Sequence, residues 1–261
     1  MLLKIIKKIT GICGFKLIDK NLIKNSRLLS KNNLYSLDFI FEYLFENKII
    51  KQLIQIGSND GQRFDEINKY IKKYSTNCVL VEPIKIYFNQ LKENYKNQDN
   101  VIFENLAVSV NNEINHLYKV KESKINNYDE HIKGITSFDK NHLIKHGVKS
   151  SHIEIEKVDS ISIINLIDKY ENKVDLMIID TEGYDGNIII DLLENSNIKP
   201  ILVFEYIHIK FEIFSRLIDK LNNKNYSYYK VNENVVCFPD HQKIKLNLDI
   251  NQPVWKKIFV L

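Results

Sequence analysis

LIQIGSNDG, which occupies residues 53–61, is the stretch that decides the fold. A short and mostly apolar run, Leu53–Ile56, leads directly into a turn that has glycine at positions 57 and 61. Glycine adopts backbone conformations that other residues avoid, and it lets the backbone approach a ligand closely. Helical periodicity resumes near Arg63, so the stretch predicts a strand, a tight turn and a helix. Taken alone, such a turn says little about function, because many strand-to-helix turns contain glycine for geometry only.

The same alternation of strand and helix patterns continues along the chain. Short apolar runs recur between segments of helical periodicity, which predicts an α/β fold with a mostly parallel sheet and helices on both faces. Continuous apolar strands suit burial on both faces. The predicted strands are Leu53–Ile56, Val79–Val81, Val101–Phe103, Leu176–Ile179, Ile201–Phe204 and Val235–Phe238. The predicted helical stripes are Phe64, Ile67, Ile71 and Tyr74; Ile84, Phe88, Leu91 and Tyr95; Ile188, Ile189, Leu192 and Leu193; and Phe211, Phe214, Ile218 and Leu221.

The composition is that of an ordinary globular protein, with 44% hydrophobic and 27% charged residues in a chain of 261. This length suits one large α/β domain. The net charge of +4 comes from lysines spread along the chain, whereas nucleic-acid-binding proteins concentrate charge on one face, so we predict no nucleic-acid partner. Cys13, Cys78 and Cys237 are odd in number and lack metal-ligand spacing, which predicts reduced thiols and a cytoplasmic protein.

Three parts of the chain are predicted from these patterns. Residues 1–48 form a helical extension in which Ser36 caps a helix over Leu37–Phe45, residues 49–240 form the α/β domain, and residues 241–261 form a C-terminal tail. No stretch is long and apolar enough for a transmembrane helix. Residues 1–16 have the pattern of a basic amphipathic helix, for which we favour packing on its own domain over peripheral contact with an anionic membrane.

One connection inside the domain, residues 119–150, is polar and weakly periodic, and it interrupts the alternation. A connection of this length in a compact domain more often has a functional role than serves only to join two elements. We therefore predict that residues 119–150 form a lid or an acceptor-binding segment.

Glu82 ends the run Val79–Val81 and lies 21 residues beyond Gly61. An acidic residue at this spacing can accept hydrogen bonds from both ribose hydroxyls of an adenosine-containing ligand, although a simple exposed strand-end glutamate is the plainer interpretation. The turn lacks the G-x-G-x-x-G pattern of a dinucleotide site, and Asp60 would repel a pyrophosphate there. Polar side chains in the turn instead suit the amino-acid end of S-adenosylmethionine.

Acidic residues also follow two later strands. The carboxyl ends of parallel strands meet at the ligand crevice of such a sheet, and clustered carboxylates are hard to explain by stability alone. These positions therefore predict an acidic site around a cationic or hydroxylated ligand. The residues are Asp180, Glu182 and Asp185 after Leu176–Ile179, and Glu205 and His208 after Ile201–Phe204.

Two groups have ligand types that suit a metal ion. Asp180, Glu182 and Asp185 offer oxygens, which hard divalent cations prefer, but acidic spacing alone is unspecific and we favour a site without a metal. His142 and His146 lie four apart in a predicted short helix, a spacing that also suits a metal. The sequence offers no obvious third ligand beside them, so we interpret both as surface histidines of the lid segment.

Six segments occur in the order and spacing of the FkbM family of methyltransferases, which the chain resembles over residues 50–210. They are IQIGSNDG, LVEP with the following Phe88 and Leu91, ENLAVS, ITSFDKNHLIKH, IIDTEGYD and PILVFE. The resemblance implies the Rossmann-like class I methyltransferase sheet, with seven strands in the order 3-2-1-4-5-7-6. It also implies that the cofactor is S-adenosylmethionine.

The resemblance further implies roles for individual residues. Gln55 stands where the family usually has an acidic residue two positions before Gly57, which puts the contact to the cofactor's ammonium group in question. Ser137, Phe138 and His142 match a stretch that we predict to cover the acceptor as a flap over residues 134–146. The implied cofactor residues are Gly57, Ser58, Asn59, Asp60 and Gly61 around the methionine part, Glu82 at the ribose, Asn105 and Leu106 near the adenine, and Asp180 beside the transferring methyl.

The reaction predicted from these residues is O-methylation of a sugar or secondary-metabolite hydroxyl, such as a step in glycan biosynthesis. A base that removes the acceptor's proton contributes about 10²–10⁴-fold, and Asp180 and His208 are its candidates. Glu182 and Glu205 are assigned to binding of the small-molecule or glycan acceptor. Two alternatives stay open at this point: a nicotinamide-dependent oxidoreductase on a Rossmann-like fold, and a non-catalytic S-adenosylmethionine-binding protein. No sequence feature predicts the oligomeric state.

Overall fold

The structure, a computed structural model, describes residues 20–29, 36–110, 116–171 and 173–240. The predicted amphipathic helix over residues 1–16, Cys13 and the tail 241–261 lie outside the described residues. The other two cysteines, Cys78 and Cys237, are buried free thiols, as the sequence predicts. Within the described ranges, helices are too short or too polar to cross a bilayer.

The described strands and helices alternate over most of the chain. The strands are β1 (Gln52–Ile56), β2 (Asn77–Val81), β3 (Val101–Glu104), β4 (Ala107–Val108), β5 (His116–Val120), β6 (Thr136–Ser137), β7 (Ile153–Lys157), β8 (Ser160–Ile161), β9 (Leu176–Ile179), β10 (Ile201–Glu205), β11 (Tyr226–Val231) and β12 (Asn234–Pro239). The α-helices are α1 (Lys20–Leu28), α2 (Leu37–Glu46), α3 (Asn68–Tyr74), α4 (Lys85–Asn94), α5 (Glu130–Lys133), α6 (Lys140–Lys145), α7 (Ile163–Lys169), α8 (Asp185–Asn195) and α9 (Phe211–Asn223).

The central sheet has seven strands in the order β3-β2-β1-β9-β10-β12-β11. Numbered among themselves along the chain, these strands are ordered 3-2-1-4-5-7-6, so the predicted class I sheet is confirmed. Pairing is parallel from β3 to β10, and β12 runs antiparallel to both of its neighbours. The carboxyl ends of five strands therefore meet at one edge, where such sheets bind their ligands.

Apolar side chains cover the sheet on both faces, because successive residues of a strand point to opposite sides. In β1, Ile54 and Ile56 belong to the core cluster that α7, α8 and α9 cover. Leu53 belongs to the other cluster, together with buried residues of α2, α3 and α4. This arrangement confirms the predicted helices on both faces.

The described part of the N-terminal extension packs onto these layers. Ser36 caps α2 as predicted, with its hydroxyl accepting a hydrogen bond from the N–H of Phe39 at 3.2 Å. Asn25 of α1 is buried and donates to the carbonyl oxygen of Ile209 at 2.8 Å. Because both helices share contacts with the α/β domain, the boundary at residue 48 stays a prediction.

Two details of the central sheet and its helices differ from the sequence prediction. The helix expected from Arg63 onward begins only at Asn68, and Phe64, expected in its apolar stripe, is 79% exposed with φ 58°. The carboxylate of Asp65 accepts the N–H of Ile67, so a local turn replaces the first helical turn. Strand β11 was not predicted, because Ser227 and Lys230 interrupt its sequence YSYYKV, which therefore does not form an apolar run.

The predicted lid segment is an ordered substructure. Strands β5, β6 and β7 form a small antiparallel sheet in the order β6-β5-β7. A separate apolar cluster packs beside it, formed by Val120, Ile132, Ile135, Leu143, Val148 and Ile153. The elements between β5 and β7 are only two to six residues long, which explains why the sequence shows little periodicity there.

Candidate active site

A cavity of about 370 Å³ opens at the carboxyl edge of the central sheet. This volume lies in the range of small-molecule and cofactor sites. Its walls come from the turns after β1, β2, β9 and β10 and from the segment between β5 and β7. The wall residues that carry the argument are Gln55, Gly57, Ser58, Asn59, Glu82, Leu106, Phe138, Asp180, Glu182 and Glu205.

The turn after β1 is held between two neighbouring strands. Gly57 has φ 84°, and its N–H donates to the carbonyl oxygen of Val81 at 3.0 Å. A Cβ atom at this position would lie 1.8 Å from the carbonyl oxygen of Asp180. Only glycine therefore fits between β2 and the end of β9. Asn59, two residues after Gly57, has φ 47°. Its side-chain amide nitrogen donates a hydrogen bond to the carbonyl oxygen of Gly134 at 3.3 Å.

The predicted cofactor residues of this turn divide into two groups. Gly57, Ser58 and Asn59 line the cavity. Asp60 and Gly61 shape the turn instead: the Asp60 carboxylate accepts the N–H groups of the two residues that follow Gly61, at 3.0 and 2.9 Å. A Cβ atom on Gly61 would lie 2.4 Å from the side chain of Leu91, so this glycine allows close packing of α4.

Glu82 is buried at the end of β2, where each carboxylate oxygen accepts one backbone N–H. Oε2 accepts from Asn59 at 2.9 Å and Oε1 from Ile84 at 2.8 Å. Burial nevertheless raises the pKa of Glu82 to about 7, against the effect of these two hydrogen bonds. Asn105 donates to the carbonyl oxygen of Glu82 at 2.9 Å, and Leu106 reaches the cavity wall. Asn105 therefore supports the turn that presents Glu82.

The raised pKa of Glu82 predicts that the free protein loses stability as pH rises towards about 7. Between its ordinary value of 4.5 and about 7, the folded chain holds this proton while the unfolded chain releases it. Stability therefore falls across this window by an amount on the order of 1–3 kcal/mol for this group. Urea unfolding of the wild type and Glu82→Gln measures the effect, because the variant lacks the titrating group and should lose less stability. Parallel curves for the two proteins would contradict the assignment.

Asp180 and Glu205, at the ends of β9 and β10, form the acidic floor of the cavity. The side chain of Asp180 is accessible from the cavity, although the surrounding protein separates it from bulk water. This desolvation, together with the charges of Glu182 and Asp185, raises the pKa of Asp180 well above its ordinary value. Burial, followed by the charges of Asp180 and Glu182, also raises the pKa of Glu205. A cationic ligand would relieve both penalties, because a nearby positive charge favours the ionised carboxylate.

The loop after β9 is strained and internally bonded. Glu182 has φ 54° and Gly183 has φ 102°, and strain of this kind in a non-glycine residue clusters at functional sites. The Asp185 carboxylate accepts from the N–H and hydroxyl of Thr181 at 3.3 and 3.1 Å, and from the N–H of Gly183 at 3.1 Å. Asp185 thus holds the loop in shape, whereas Asp180 and Glu182 face the cavity.

Three histidines surround Glu182. Nε2 of His142 lies 2.8 Å from Oε2 of Glu182, and Nε2 of His208 lies 3.9 Å from the same oxygen. His146 follows helix α6 and packs its ring 4.4 Å from that of His142 and 5.0 Å from that of His208. Burial alone would raise the pKa of Glu182, but its hydrogen bond to His142 and the charges of the three histidines hold it below the ordinary value.

This cluster corrects the interpretation of His142 and His146 as surface residues. The side chain of His142 is only 11% exposed, and that of His146 is half-buried. His208, assigned from sequence as a base, lies against Glu205 at 3.4 Å beside the cavity wall. No linear pattern relates His208 to the pair 62 residues earlier, so only the tertiary contact reveals the group.

The remaining predicted acceptor residues meet the same loop. The Ser137 hydroxyl donates to the carbonyl oxygen of Glu182 at 3.3 Å. Phe138 lines the cavity and makes an edge-to-face contact with Tyr184 at a centroid distance of 4.7 Å. Segment 134–146 therefore reaches the loop after β9 through Ser137, Phe138 and His142.

Sequence reasoning missed several cavity residues. Gln55 was noted only as a departure, yet its Oε1 is a buried oxygen without a hydrogen-bond partner among the described residues. Others include Arg63, Phe64, Glu130, His131, Thr136, Glu233 and Asn234. They lie in turns, at the start of β12 or in the short elements α5 and β6, where no periodicity distinguishes a wall residue from a solvated one.

Residues 55–228 match the family profile described as Methyltransferase FkbM domain. No curated protein sequence matches the chain. One similar solved structure is methyltransferase FkbM from Methylobacillus flagellatus KT, with 10% identity and a TM-score of 0.45 over 85% of this chain; the match spans 56% of that protein.

Two further structures are similar at the same level. The S-adenosylhomocysteine-bound methyltransferase PaMTH1 of Podospora anserina has 10% identity and a TM-score of 0.42, and the match covers 90% of this chain and 95% of that one. The ribosomal protein L11 methylase of Lactobacillus delbrueckii subsp. bulgaricus has 9% identity and a TM-score of 0.41, with 78% and 77% covered.

Proposed function

The chain belongs to the FkbM family of methyltransferases, and from this premise we propose that it binds S-adenosylmethionine and methylates a hydroxyl oxygen of a small or sugar-like acceptor. The observation that carries the proposal is the acidic cavity in which Glu82, Asp180 and Glu205 meet the Gly57 turn. Its position at the carboxyl edge of a class I sheet supports an adenosine ligand, and its acidity supports a cationic one.

The residues present fit this cofactor. Within the described part of the chain, Oε1 of Gln55 is buried without a partner and belongs to a cavity residue. Leaving such an acceptor unpaired costs about 1–3 kcal/mol, which a ligand's ammonium group would offset. Glu82 has acceptor capacity left for two ribose hydroxyls, since a carboxylate offers about four lone-pair sites and two are used. Leu106 supplies an apolar wall for the adenine.

S-adenosylmethionine, when bound, supplies a methyl group on a positively charged sulfur. The chain must hold the acceptor oxygen in line with that methyl, with the reacting atoms about 3–3.5 Å apart, and remove the hydroxyl proton. We assign proton removal to Asp180, because it faces the cavity and its raised pKa makes it a stronger base than an ordinary aspartate. His208 contacts Glu205 and Glu182, so we assign it to positioning these acids.

The acceptor side of the cavity supports a hydroxyl-bearing substrate. Glu182 and Glu205 offer carboxylate oxygens that accept hydrogen bonds from hydroxyl groups, and Phe138 offers an apolar face for a ring. These acids would repel the phosphates of a nucleic acid, which agrees with the expected absence of such a partner. We keep residues 119–150 as the acceptor-binding segment, with 134–146 as the part that closes over the substrate.

Removing the carboxylate of Glu82 is expected to weaken S-adenosylmethionine binding. Two ribose hydroxyls lose a charged acceptor, which should cost about 1.5–3 kcal/mol, or roughly 10- to 150-fold in Kd. Calorimetric titration of wild type, Glu82→Ala and the closer mimic Glu82→Gln gives the comparison, with circular dichroism to confirm folding. Glu93→Ala, on the exposed surface of α4, is the control and should bind normally.

The same titrations discriminate between the candidate functions. We expect S-adenosylmethionine to bind and NAD to show no binding; the reverse result would support an oxidoreductase and overturn the proposal. Methyl transfer is followed as release of S-adenosylhomocysteine in the presence of a panel of sugars and other hydroxylated metabolites. Cofactor binding without turnover on any hydroxylated acceptor would contradict the proposed O-methylation.

A further inference from the structure

We propose that His142, His146, His208 and Glu182 form a binding site for a divalent first-row transition-metal ion such as Zn²⁺, beside the cavity. The site goes beyond the proposed methyl transfer and does not depend on it. Its ligands come from three places in the fold: the end of α6, the turn after β10 and the loop after β9. Tertiary folding alone brings them together.

The donor atoms lie close together, although somewhat farther apart than they would around a bound ion. One ring nitrogen of each histidine lies within 4.8 Å of the other two. Oε2 of Glu182 lies 2.8 Å from Nε2 of His142 and 3.9 Å from Nε2 of His208. Ligand atoms that bind Zn²⁺ tetrahedrally at 2.0–2.1 Å are about 3.3 Å apart. Rotations of the three imidazoles that shorten their nitrogen–nitrogen distances by up to roughly 1.5 Å would therefore bring the ring nitrogens to this spacing.

The orientation of His146 has a feature that is typical of metal ligands. Its Nδ1 lies 2.9 Å from the carbonyl oxygen of His142, to which it donates a hydrogen bond. In the neutral ring this bond fixes the tautomer and leaves a lone pair on Nε2, as second-shell hydrogen bonds do for metal-bound histidines. His142 and His146 are also spaced i, i+4, which places two imidazoles on one side of α6.

The donor set selects the class of ion. Three imidazoles with one carboxylate suit Zn²⁺, Fe²⁺, Co²⁺ or Ni²⁺, whereas Mg²⁺ and Ca²⁺ prefer shells made of oxygen ligands. The strained backbone of Glu182, at φ 54°, holds its carboxylate among the three rings.

The position of the ion also suggests its use, and this role rests on the proposed function. Glu182 and Glu205 line the cavity, and Glu205 lies 3.4 Å from Nε2 of His208. An acceptor hydroxyl that binds the ion as a fifth ligand would lose its proton to Asp180 more readily, because the cation stabilises the resulting oxyanion. The O–C bond to the methyl then forms as the S–C bond breaks, and the electron pair of that bond stays on sulfur.

Metal titration of the chelator-treated full chain tests the site directly. We expect calorimetry with Zn²⁺ to show one ion per chain, with excess Mg²⁺ unable to compete. His142→Ala and His208→Ala should each weaken binding at least about tenfold. His116→Ala and His152→Ala, which alter histidines outside the cluster, are the controls and should bind as the wild type does. Absence of Zn²⁺ binding, or equal affinity in cluster and control variants, would overturn the site.

Two additional measurements keep the outcomes separate. His142→Gln retains most of the side-chain volume, so its loss of Zn²⁺ affinity together with a normal unfolding curve excludes misfolding as the cause. S-adenosylmethionine titrations of the same proteins report on the proposed function independently. Cofactor binding without Zn²⁺ binding overturns the metal site alone, whereas Zn²⁺ binding without cofactor binding overturns the methyl-transfer proposal and leaves the metal site standing.

Discussion

Replacing Gly57 by alanine is expected to abolish cofactor binding and to destabilise the protein by about 4 kcal/mol or more. Single substitutions reach this size only when they cause a severe steric or electrostatic conflict. Two effects combine at this position. The backbone has φ 84°, which alanine adopts only with strain, and the added Cβ would lie 1.8 Å from the carbonyl oxygen of Asp180. The clash is with backbone, so relief requires β1 and the end of β9 to separate, and this opens the cavity floor.

The matched control for this prediction is Gly147→Ala. Gly147 has φ 91° but is exposed, so its substitution should show only the conformational cost of about 1–2 kcal/mol. Urea unfolding of both variants measures the difference that the clash makes, and calorimetry with S-adenosylmethionine measures the loss of binding in Gly57→Ala. If Gly57→Ala binds S-adenosylmethionine with a Kd within about threefold of the wild-type value, this turn does not hold the cofactor.

Replacing Asp180 by asparagine is expected to lower kcat by about 10²–10⁴-fold, the contribution of a positioned base. The amide has the shape of the carboxyl group but cannot accept the acceptor's proton. Folding stability should stay equal or rise, because Asp180 suffers repulsion from Glu182 and Asp185 in the free protein. This combination of lost turnover and retained stability distinguishes a base from a structural aspartate.

Three readouts test the role of Asp180. Turnover is measured at saturating acceptor, cofactor affinity by calorimetry, and the pH dependence of kcat over the acidic range. The wild type should lose activity as pH falls and the base becomes protonated, and Asp180→Asn should lack this dependence. Asp191→Asn, on α8, serves as the control and should keep full activity. If kcat of Asp180→Asn stays within about threefold of the wild-type value, another group must remove the acceptor's proton.

The fold was predictable where the sequence is regular. Runs such as Leu53–Ile56 and Leu176–Ile179 are apolar throughout or nearly so, and a strand buried on both faces allows no other composition. Prediction failed where local hydrogen bonds compete with periodicity. Asp65 accepts the N–H of Ile67 and delays the start of α3 to Asn68, although Phe64 continues the helical stripe in the sequence.

Positions at the strand ends were predictable for a related reason. In a parallel sheet, residues that follow different strands share one edge, so order along the chain is enough to group Gly57, Glu82, Asp180 and Glu205 at one cavity. The sequence did not separate cavity residues from turn residues within each loop. Asp60 and Gly61 belong to the same motif as Gly57, but their side-chain and Cβ directions place them against the turn and α4.

By itself, then, the sequence determined the α/β class, the strand order that the family resemblance implies, and the edge at which the acidic residues collect. These depend on composition and on order along the chain, which are local or topological properties. Tertiary structure alone decided that His208 joins His142 and His146 around Glu182, and that Oε1 of Gln55 stays unpaired within the described chain. Such facts depend on side-chain directions and on loops that meet across long sequence separations, and no periodicity in the sequence encodes either of them.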